Sequence, residues 1–187
     1  MPEFVVHGPF SVPLERLARG AIFLDPRAIE EFARQEPLMA RKGCYVFVWK
    51  ASRGSLPIYV GMTQKQTIGQ EAFNPRNTDL INRFINTKLK GSLQLYVLVE
   101  ADGPGRDNIP VIKEIEEFLI TKAALRNKNL LNSKMTTEPS WIIRGVHNHR
   151  GGHPGGPAAT FKSVMGLKKS WLSKLVKEEE PIATPYE

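Results

Sequence analysis

The stretch GCYVFVWKASRGSLPIYVGMT, residues 43 to 63, contains two apolar runs joined by a polar turn. Each run is apolar on both alternating faces, as expected for a strand in a sheet that is covered on both sides. The linking residues, ASRGSL at 51 to 56, include the glycine and serines that suit a hairpin turn. We therefore predict strands at 45 to 50 and 57 to 60, paired as a hairpin, each carrying a tyrosine close to a glycine.

The elements around this hairpin follow from the positions of prolines and apolar residues. Asp25-Pro26 is typical of an N-cap followed by a first-turn proline, and it predicts a helix of about ten residues. After a polar stretch, apolar spacing predicts a helix from 78 to 89, a strand from 93 to 100 and a helix from 110 to 126. The order β-β-α-β-α then has additions at both ends: an accessory segment (1 to 40), a core domain (41 to 135) and a basic C-terminal extension (136 to 187).

The composition favours one globular domain. With 187 residues and 41% hydrophobic content, the chain is able to bury a core. Its longest apolar runs fall far short of the roughly 20 residues that cross a bilayer, and the amino end shows no signal-peptide pattern. We expect a soluble, cytoplasmic protein with no membrane partner. The single cysteine, Cys44, excludes an internal disulfide and a cysteine-rich zinc site, and it is expected to be a small buried hydrophobe.

The positive charge is concentrated late in the chain. The formal net charge is +7, yet residues 1 to 40 hold four basic and six acidic side chains. Between Phe118 and Val176, ten lysines and arginines accompany a single acid, Glu138. Such a stretch favours a polyanion partner, most often nucleic acid, although a solvated basic face without a partner has the same composition. The candidate contact residues are Lys65, Lys128, Lys134, Arg144, Arg150 and Lys162.

One glutamate interrupts the pattern of the last core helix. At about 100° per residue, Glu116 falls inside the apolar stripe that contains Ile112 and Leu119, whereas Glu114 and Glu117 point outward. An ionised carboxylate on a core-facing stripe costs several kcal/mol unless it is paired, hydrogen-bonded or bound to a cation. Glu116 is therefore either the partner of a lysine or arginine, or a ligand for a hard cation such as Mg²⁺.

Three further polar residues suit a phosphate site. Asn132 lies one loop beyond the helix, where its amide either orients a carbonyl or phosphate or simply completes a turn. Arg76 follows a proline, and Arg83 lies on the flank of the next helix. An arginine binds phosphate through two parallel hydrogen bonds, which lysine does not reproduce.

In combination, these residues resemble the GIY-YIG nuclease superfamily. The first motif is Gly43-Cys44-Tyr45 and the second is Tyr59-Val60-Gly61, with the tyrosines 14 positions apart. The run from 115 to 120, IEEFLI, is similar to the family's helix with a glutamate among apolar residues, and Asn132 matches its closing asparagine. The resemblance covers residues 43 to 132.

The resemblance implies an α/β fold of the α+β type, with a small three-stranded mixed or antiparallel sheet flanked by helices. It also implies a metal-dependent endonuclease that hydrolyses a nucleic-acid phosphodiester with one divalent metal. We favour DNA over RNA as the substrate, although the sequence does not distinguish the two. Tyr45 would take a proton from the attacking water, with Tyr59 assisting or exchanging that role. Glu116 would hold Mg²⁺ or Mn²⁺, an arginine would stabilise the phosphate, and Asn132 would order the site.

The chain departs from the family pattern at two points. Cysteine replaces the usual isoleucine of the first motif, and QKQTIGQEAF, residues 64 to 73, lacks the arginine that usually follows the second. Arg76 comes 17 positions after Tyr59 and Arg83 comes 24 after, so Arg76 is preferred, with Lys65 as a third candidate. If none of these reaches the site, the chain is a catalytically inactive nucleic-acid-binding module.

Two other segments attract functional interpretations. HNH at 147 to 149, with His153 nearby, is reminiscent of a metal site, but its glycine-rich surroundings favour a surface loop or a backbone contact to phosphate assisted by Arg150. WLSKLVK, residues 171 to 177, is expected to be an amphipathic helix packed on the domain.

Overall fold

The computed structural model describes residues 2–17, 20–52, 54–88, 90–101, 108–127, 129–132, 142–146 and 156–167. The amino-terminal elements are β1 (Glu3–Val12), β2 (Glu15–Arg16), β3 (Ile22–Phe23), α1 (Pro26–Gln35) and a 3-10 helix (Pro37–Ala40). They are followed by β4 (Cys44–Ala51), β5 (Gly54–Met62), α2 (Ile68–Ala72), α3 (Pro75–Ile85), β6 (Ser92–Glu100), α4 (Ile109–Arg126), β7 (Ile142–Ile143) and α5 (Gly156–Val164).

The main sheet has the order β5-β4-β6-β1-β7. The first four strands are antiparallel neighbours, and the two-residue strand β7 runs parallel to β1. The fold is therefore α+β, but the prediction of three strands was wrong. Residues 3 to 12, assigned to an accessory segment, form β1 and pair with β6 inside the sheet. Their alternating partly buried and buried positions place Phe4 and Val6 in the core.

Both faces of the sheet are covered, as the apolar hairpin strands indicated. Along β4, Val46 and Val48 face a core formed with α4 and α5, whereas Tyr45, Phe47 and Trp49 face a second core formed with α1, α2 and α3. All five side chains are 5% exposed or less. Because successive side chains of a strand point to opposite faces, the single run from 45 to 49 contributes residues to both cores.

The helix boundaries follow capping residues. Asp25 caps α1 as predicted, since its carboxylate accepts a hydrogen bond from the Ala28 amide. The predicted helix at 78 to 89 begins and ends earlier, at Pro75 and Ile85, because Asn74 caps it and Pro75 occupies its first turn. The stretch described as polar also contains α2, which the sequence analysis missed.

The helix α4 matches the predicted 110 to 126 within one residue. Ile112, Ile115 and Leu119 are buried as predicted, and Glu116 is partly buried. The outward direction assigned to Glu114 and Glu117 was too simple, since both are also partly buried. Within the described ranges, none of the helices is long and apolar enough to span a bilayer.

Part of the basic extension belongs to the core. In α5, Phe161 is fully buried and meets Tyr96 of β6 edge to face, with ring centroids 5.1 Å apart. The HNH segment, His153 and the helix expected at 171 to 177 lie outside the described residues.

Candidate active site

The register of the β4–β5 hairpin brings the two motifs together. Tyr45 lies opposite Gly61 and Phe47 opposite Tyr59, with a register shift between Phe47 and Val48. The shift makes Pro57, rather than Ile58, the partner of Val48. Because β5 is the edge strand, this irregularity and a proline are tolerated there. The bulge places Tyr59 on the same face as Tyr45, as its diagonal neighbour.

Both motif glycines lie where a larger side chain would not fit. A Cβ on Gly61 would overlap the ring and hydroxyl of Tyr45, and a Cβ on Gly43 would overlap the backbone carbonyl of Leu98. Thr63 closes the hairpin beside them, because its hydroxyl accepts a hydrogen bond of 2.9 Å from the Gly43 amide. The glycines therefore permit close packing, and at Gly61 this packing sets the position of a candidate catalytic side chain.

The two tyrosines differ in their access to solvent. Tyr45 is 1% exposed, and its hydroxyl accepts a hydrogen bond of 3.0 Å from the buried amide of Asn77. Tyr59 is partly buried. Its ring centroid lies 6.2 Å from that of Tyr45, and the two rings are tilted by 37°. Tyr59 is therefore the member of the pair with partial access to solvent.

Glu116 lies on α4, which packs along β5 and β4. Burial raises the pKa of the Tyr45 and Tyr59 hydroxyls and of the Cys44 thiol, and the charge of Glu116 adds to the rise in each. Cys44 is buried as predicted, and its thiol donates to the carbonyl of Ile112 at 3.2 Å. The helix that carries Glu116 and the two tyrosines thus pack on opposite faces of the sheet, and the charge of the carboxylate acts on both phenols.

The oxygen atoms at this position suit a hard divalent cation. Within the described ranges, no group of three or more His, Cys, Asp or Glu side chains is placed to hold a metal ion. A Mg²⁺ ion that keeps most of its waters and binds phosphate oxygens needs only one or two carboxylates. Glu116 fits that requirement, and the neighbouring sulfur of Cys44 is buried and hydrogen-bonded away from it.

The arginines occupy different places on α3. Arg76 is exposed in the first turn, and its guanidinium lowers the pKa of Tyr59 against the larger effects of burial and Glu116. Arg83 lies two turns further along and pairs with Asp79 at 2.8 Å, with its side chain 78% exposed. Lys65 is exposed in the bend between β5 and α2. Of the two arginines, Arg76 is therefore the one whose charge acts on Tyr59.

Asn132 holds the strand that carries Tyr59. Its side-chain amide donates to the Val60 carbonyl at 2.5 Å, and its oxygen accepts from the Val60 amide at 3.4 Å. Asn127, which the sequence analysis did not select, donates to the Pro57 carbonyl at 2.7 Å. The two asparagines satisfy backbone groups along the outer edge of β5 where no further strand follows.

Two other residues at the site were missed. Asn77 contacts Tyr45, and Glu71 of α2 is close enough for its charge to raise the pKa of both tyrosines, after the larger effect of burial. Both residues lie within the stretch from 64 to 77, where apolar residues do not recur at the spacing of a helix or a strand. The only available signal was a possible cap at Asn74-Pro75, which places Asn77 in the first turn of a helix.

The predicted nucleic-acid contacts are dispersed. Arg144 forms an ion pair with Glu3, and Lys162 is partly buried on α5. Lys128, Lys134 and Arg150 lie outside the described residues. Among the described residues, Lys65 and Arg144 are the exposed members of the predicted set.

A cavity of about 700 Å³ lies between α1 and the α2–α3 segment. Pro75 and Thr78, which flank Arg76 and Asn77, contribute to its lining with Leu24, Ile29 and Phe73. Tyr45, Tyr59, Arg76, Glu116 and Asn132 are absent from that lining. The cavity is therefore a neighbour of the candidate site and not part of it.

Comparison with protein-family models, with curated proteins and with solved structures finds no significant match to this chain. The resemblance to the GIY-YIG superfamily consequently depends on the residues described above.

Proposed function

We propose that this chain is a metal-dependent endonuclease with a GIY-YIG-like core, acting on DNA phosphodiesters. The observation that supports the proposal is the position of Tyr59 beside Tyr45, where the charges of Arg76 and Glu116, from two other elements, act on Tyr59. A phenol with access to solvent, a cation and a carboxylate supply groups that assist phosphodiester hydrolysis through proton transfer, charge stabilisation and metal binding.

Each side chain then has a distinct role. Tyr59 orients the attacking water and accepts its proton, while Tyr45, held by Asn77, packs beside it inside the core. Arg76 contacts the phosphate and stabilises the charge that develops on it. Asn132 keeps β5, and with it Tyr59, in register. A Mg²⁺ or Mn²⁺ ion bound by Glu116 would polarise a phosphate oxygen.

Proton transfer is the demanding step. A tyrosine with the ordinary pKa near 10 costs roughly 4 kcal/mol to deprotonate at pH 7, and burial raises the pKa of Tyr59 further. The opposing effect is the positive charge of Arg76. The proposal therefore predicts that activity increases with pH on the alkaline side of neutrality.

Plasmid nicking tests the proposal. Wild-type protein with Mg²⁺ or Mn²⁺ is expected to nick supercoiled DNA, and Glu116→Gln is expected to reduce the rate by about 100-fold or more. Glu117→Gln, the adjacent and also partly buried glutamate, is the matched control and is expected to retain wild-type activity. Equal activity in the wild type and Glu116→Gln would contradict the role of Glu116.

A second candidate function is binding without cleavage. It is favoured by the raised pKa of both tyrosines and by the absence of any arginine from residues 64 to 73. This alternative predicts no nicking with any divalent cation, together with DNA binding that weakens steeply as salt increases. The same salt titration with RNA oligonucleotides determines which nucleic acid is preferred.

A further inference from the structure

Asn77 is a buried residue at which three segments of the chain meet. It is 3% exposed and lies in the first turn of α3. Its side-chain nitrogen donates to the backbone carbonyl of Glu71 in α2 at 2.8 Å and to the hydroxyl oxygen of Tyr45 in β4 at 3.0 Å. Its backbone amide donates to the side chain of Asn74, the N-cap of α3, at 2.8 Å. Asn77 therefore joins α2, α3 and the main sheet.

The partners of Asn77 determine which of its atoms makes these bonds. A backbone carbonyl only accepts hydrogen bonds, so the Asn77 atom that faces Glu71 is the amide nitrogen. The same nitrogen contacts the oxygen of Tyr45, so both hydrogens of the amide have a buried acceptor. Asn77→Ala removes both bonds, whereas Tyr45→Phe removes only the one to the sheet.

Tyr45 is a firmly held partner for this bond. Its side chain is 1% exposed. Its ring lies against Gly61 and meets Phe47 edge to face, with ring centroids 5.9 Å apart. The strand that carries it, β4, is paired with β5 on one side and β6 on the other. The hydrogen bond from Asn77 to Tyr45 therefore fixes the first turn of α3 relative to the hairpin.

Other asparagines of α3 bond to a different part of the fold. Asn82 accepts from the Leu24 amide at 2.9 Å, and the C-cap Asn86 accepts from the Ile22 amide at 3.2 Å. Both amides belong to the segment that contains or follows β3, which pairs with β2 in the small second sheet. Among the described side chains of α3, Asn77 is the one that hydrogen-bonds to the main sheet.

Arg76 precedes Asn77 in the same helical turn and is exposed. Successive residues of a helix point about 100° apart, so Arg76 points to solvent while Asn77 points to the sheet. A displacement of this turn moves both residues together. A group displaced by about 1 Å from its productive position loses up to about 100-fold in rate.

We propose that Asn77 is a positioning residue, which holds the first turn of α3 on Tyr45 and thereby holds Arg76 at the substrate phosphate. The role of Arg76 rests on the proposed endonuclease function. The attachment of α3 to the sheet is a property of the fold and does not depend on that function.

Nicking rates measured over a range of DNA concentrations at saturating Mg²⁺ test this role, with each variant shown to be folded by urea denaturation. Asn77→Ala is expected to lower kcat by about 10- to 100-fold with little change in KM, because the displaced guanidinium no longer stabilises the transition state. In Arg76→Ala, adding Asn77→Ala is expected to cause little further loss, since no guanidinium remains to be positioned. Equal fold-losses in the two backgrounds would overturn the proposal.

Asn82→Ala is the matched control on the same helix. It also removes a partly buried hydrogen bond, but one that leads to Leu24 and not to the main sheet. Its kcat is expected to stay at the wild-type value. A loss as large as that of Asn77→Ala would indicate general loosening of α3 and would overturn the proposal.

Tyr45→Phe provides a second route that does not require Asn77→Ala to fold. It removes the acceptor of the bond and retains the ring that packs on Gly61. It is expected to lower kcat in the wild-type background and to cause little further loss in Arg76→Ala. Equal losses in both backgrounds would show that the Tyr45 hydroxyl acts independently of Arg76, and would refute the positioning role.

DNA binding distinguishes failure of this proposal from failure of the endonuclease. A phosphate contact by Arg76 contributes about one to the slope of log affinity against log salt concentration. Arg76→Ala, Asn77→Ala and the double variant are expected to lose the same part of that slope. This result in a protein that never nicks DNA would support the positioning role and contradict the endonuclease. A wild-type slope in either single variant would overturn the positioning role, whether or not the protein nicks DNA.

Discussion

The ring of Tyr45 lies directly over Gly61, its partner across the β4–β5 hairpin. A Cβ at Gly61 would overlap the Tyr45 hydroxyl and the adjacent ring carbon. The contact explains why the second motif contains a glycine: a larger residue at 61 would displace Tyr45 of the first motif.

Gly61→Ala is therefore expected to destabilise the protein by about 1 to 3 kcal/mol through overpacking and to displace the Tyr45 hydroxyl. Urea denaturation measures the loss of stability. Fluorine NMR of protein labelled with fluorotyrosine, with the Tyr45 signal assigned from Tyr45→Phe, reports the displacement of the Tyr45 hydroxyl. Gly156→Ala is the control, since a Cβ at Gly156 has no neighbour within 4 Å among the described residues. A neutral Gly61→Ala substitution would show that Tyr45 adopts another position.

Two buried tyrosines are expected to respond differently to loss of their hydroxyls. Tyr45→Phe removes the acceptor of the Asn77 hydrogen bond and is expected to cost about 1 kcal/mol. The Tyr96 hydroxyl is buried and has no hydrogen-bond partner in the described part of the chain. Tyr96→Phe is therefore expected to be neutral or stabilising, and chemical denaturation of both variants gives the comparison.

Stability is expected to fall as pH rises above about 10. Burial raises the pKa of Tyr45 above its ordinary value and raises that of Tyr96 to about 12. Below pH 10 the phenols are protonated in both states; above it the unfolded chain loses protons that the folded chain retains. The free energy of unfolding therefore decreases with pH, by about 1.4 kcal/mol per unit for Tyr45 alone.

Urea denaturation between about pH 8 and pH 11 measures this dependence. Tyr45→Phe removes one of the phenols responsible, so its free energy of unfolding is expected to decrease less steeply with pH than that of the wild type. Identical slopes in the two proteins would contradict the burial of an ionisable Tyr45.

Substitution of the two arginines of α3 is expected to reduce DNA nicking to different extents. Arg76→Ala is expected to reduce DNA nicking by about 100-fold, because the cation beside Tyr59 is lost. Arg83→Ala removes a largely exposed ion pair with Asp79 and is expected to change the rate little. Nicking rates measured at one DNA and metal concentration compare the two, and the opposite ranking would place the phosphate near Arg83.

Asn132→Ala is expected to cost about 1 to 3 kcal/mol and to reduce activity by displacing Tyr59. The substitution removes two hydrogen bonds to Val60 and leaves the backbone groups of that residue unpaired. Asn127→Ala removes one bond to Pro57 on the same strand, three residues before Val60, and serves as the comparison. Similar loss of stability with greater loss of nicking in Asn132→Ala would agree with the proposed role.

Local signals in the sequence were sufficient for much of the fold. The double-sided apolar runs predicted the hairpin, and Asp25-Pro26 and Pro110 predicted the starts of α1 and α4 within one residue. The spacing of about 100° per residue placed Glu116 on the apolar stripe of α4, because an α-helix has 3.6 residues per turn in any surroundings. These features are encoded within a few residues of each other.

Tertiary structure decided the rest, because contacts between distant segments leave no local period. The pairing of β1 with β6 joins residues about 90 positions apart, and the bulge at Pro57 determines that Tyr59 and not Ile58 lies opposite Phe47. The choice of Arg76 over Arg83 and the contact of Asn77 with Tyr45 depend on where α3 starts and packs. The sequence by itself determined which residues are candidates for the site, because the motifs and the helical period are local, and the packing around β5 decided that Tyr59 is partly exposed while Tyr45 is buried.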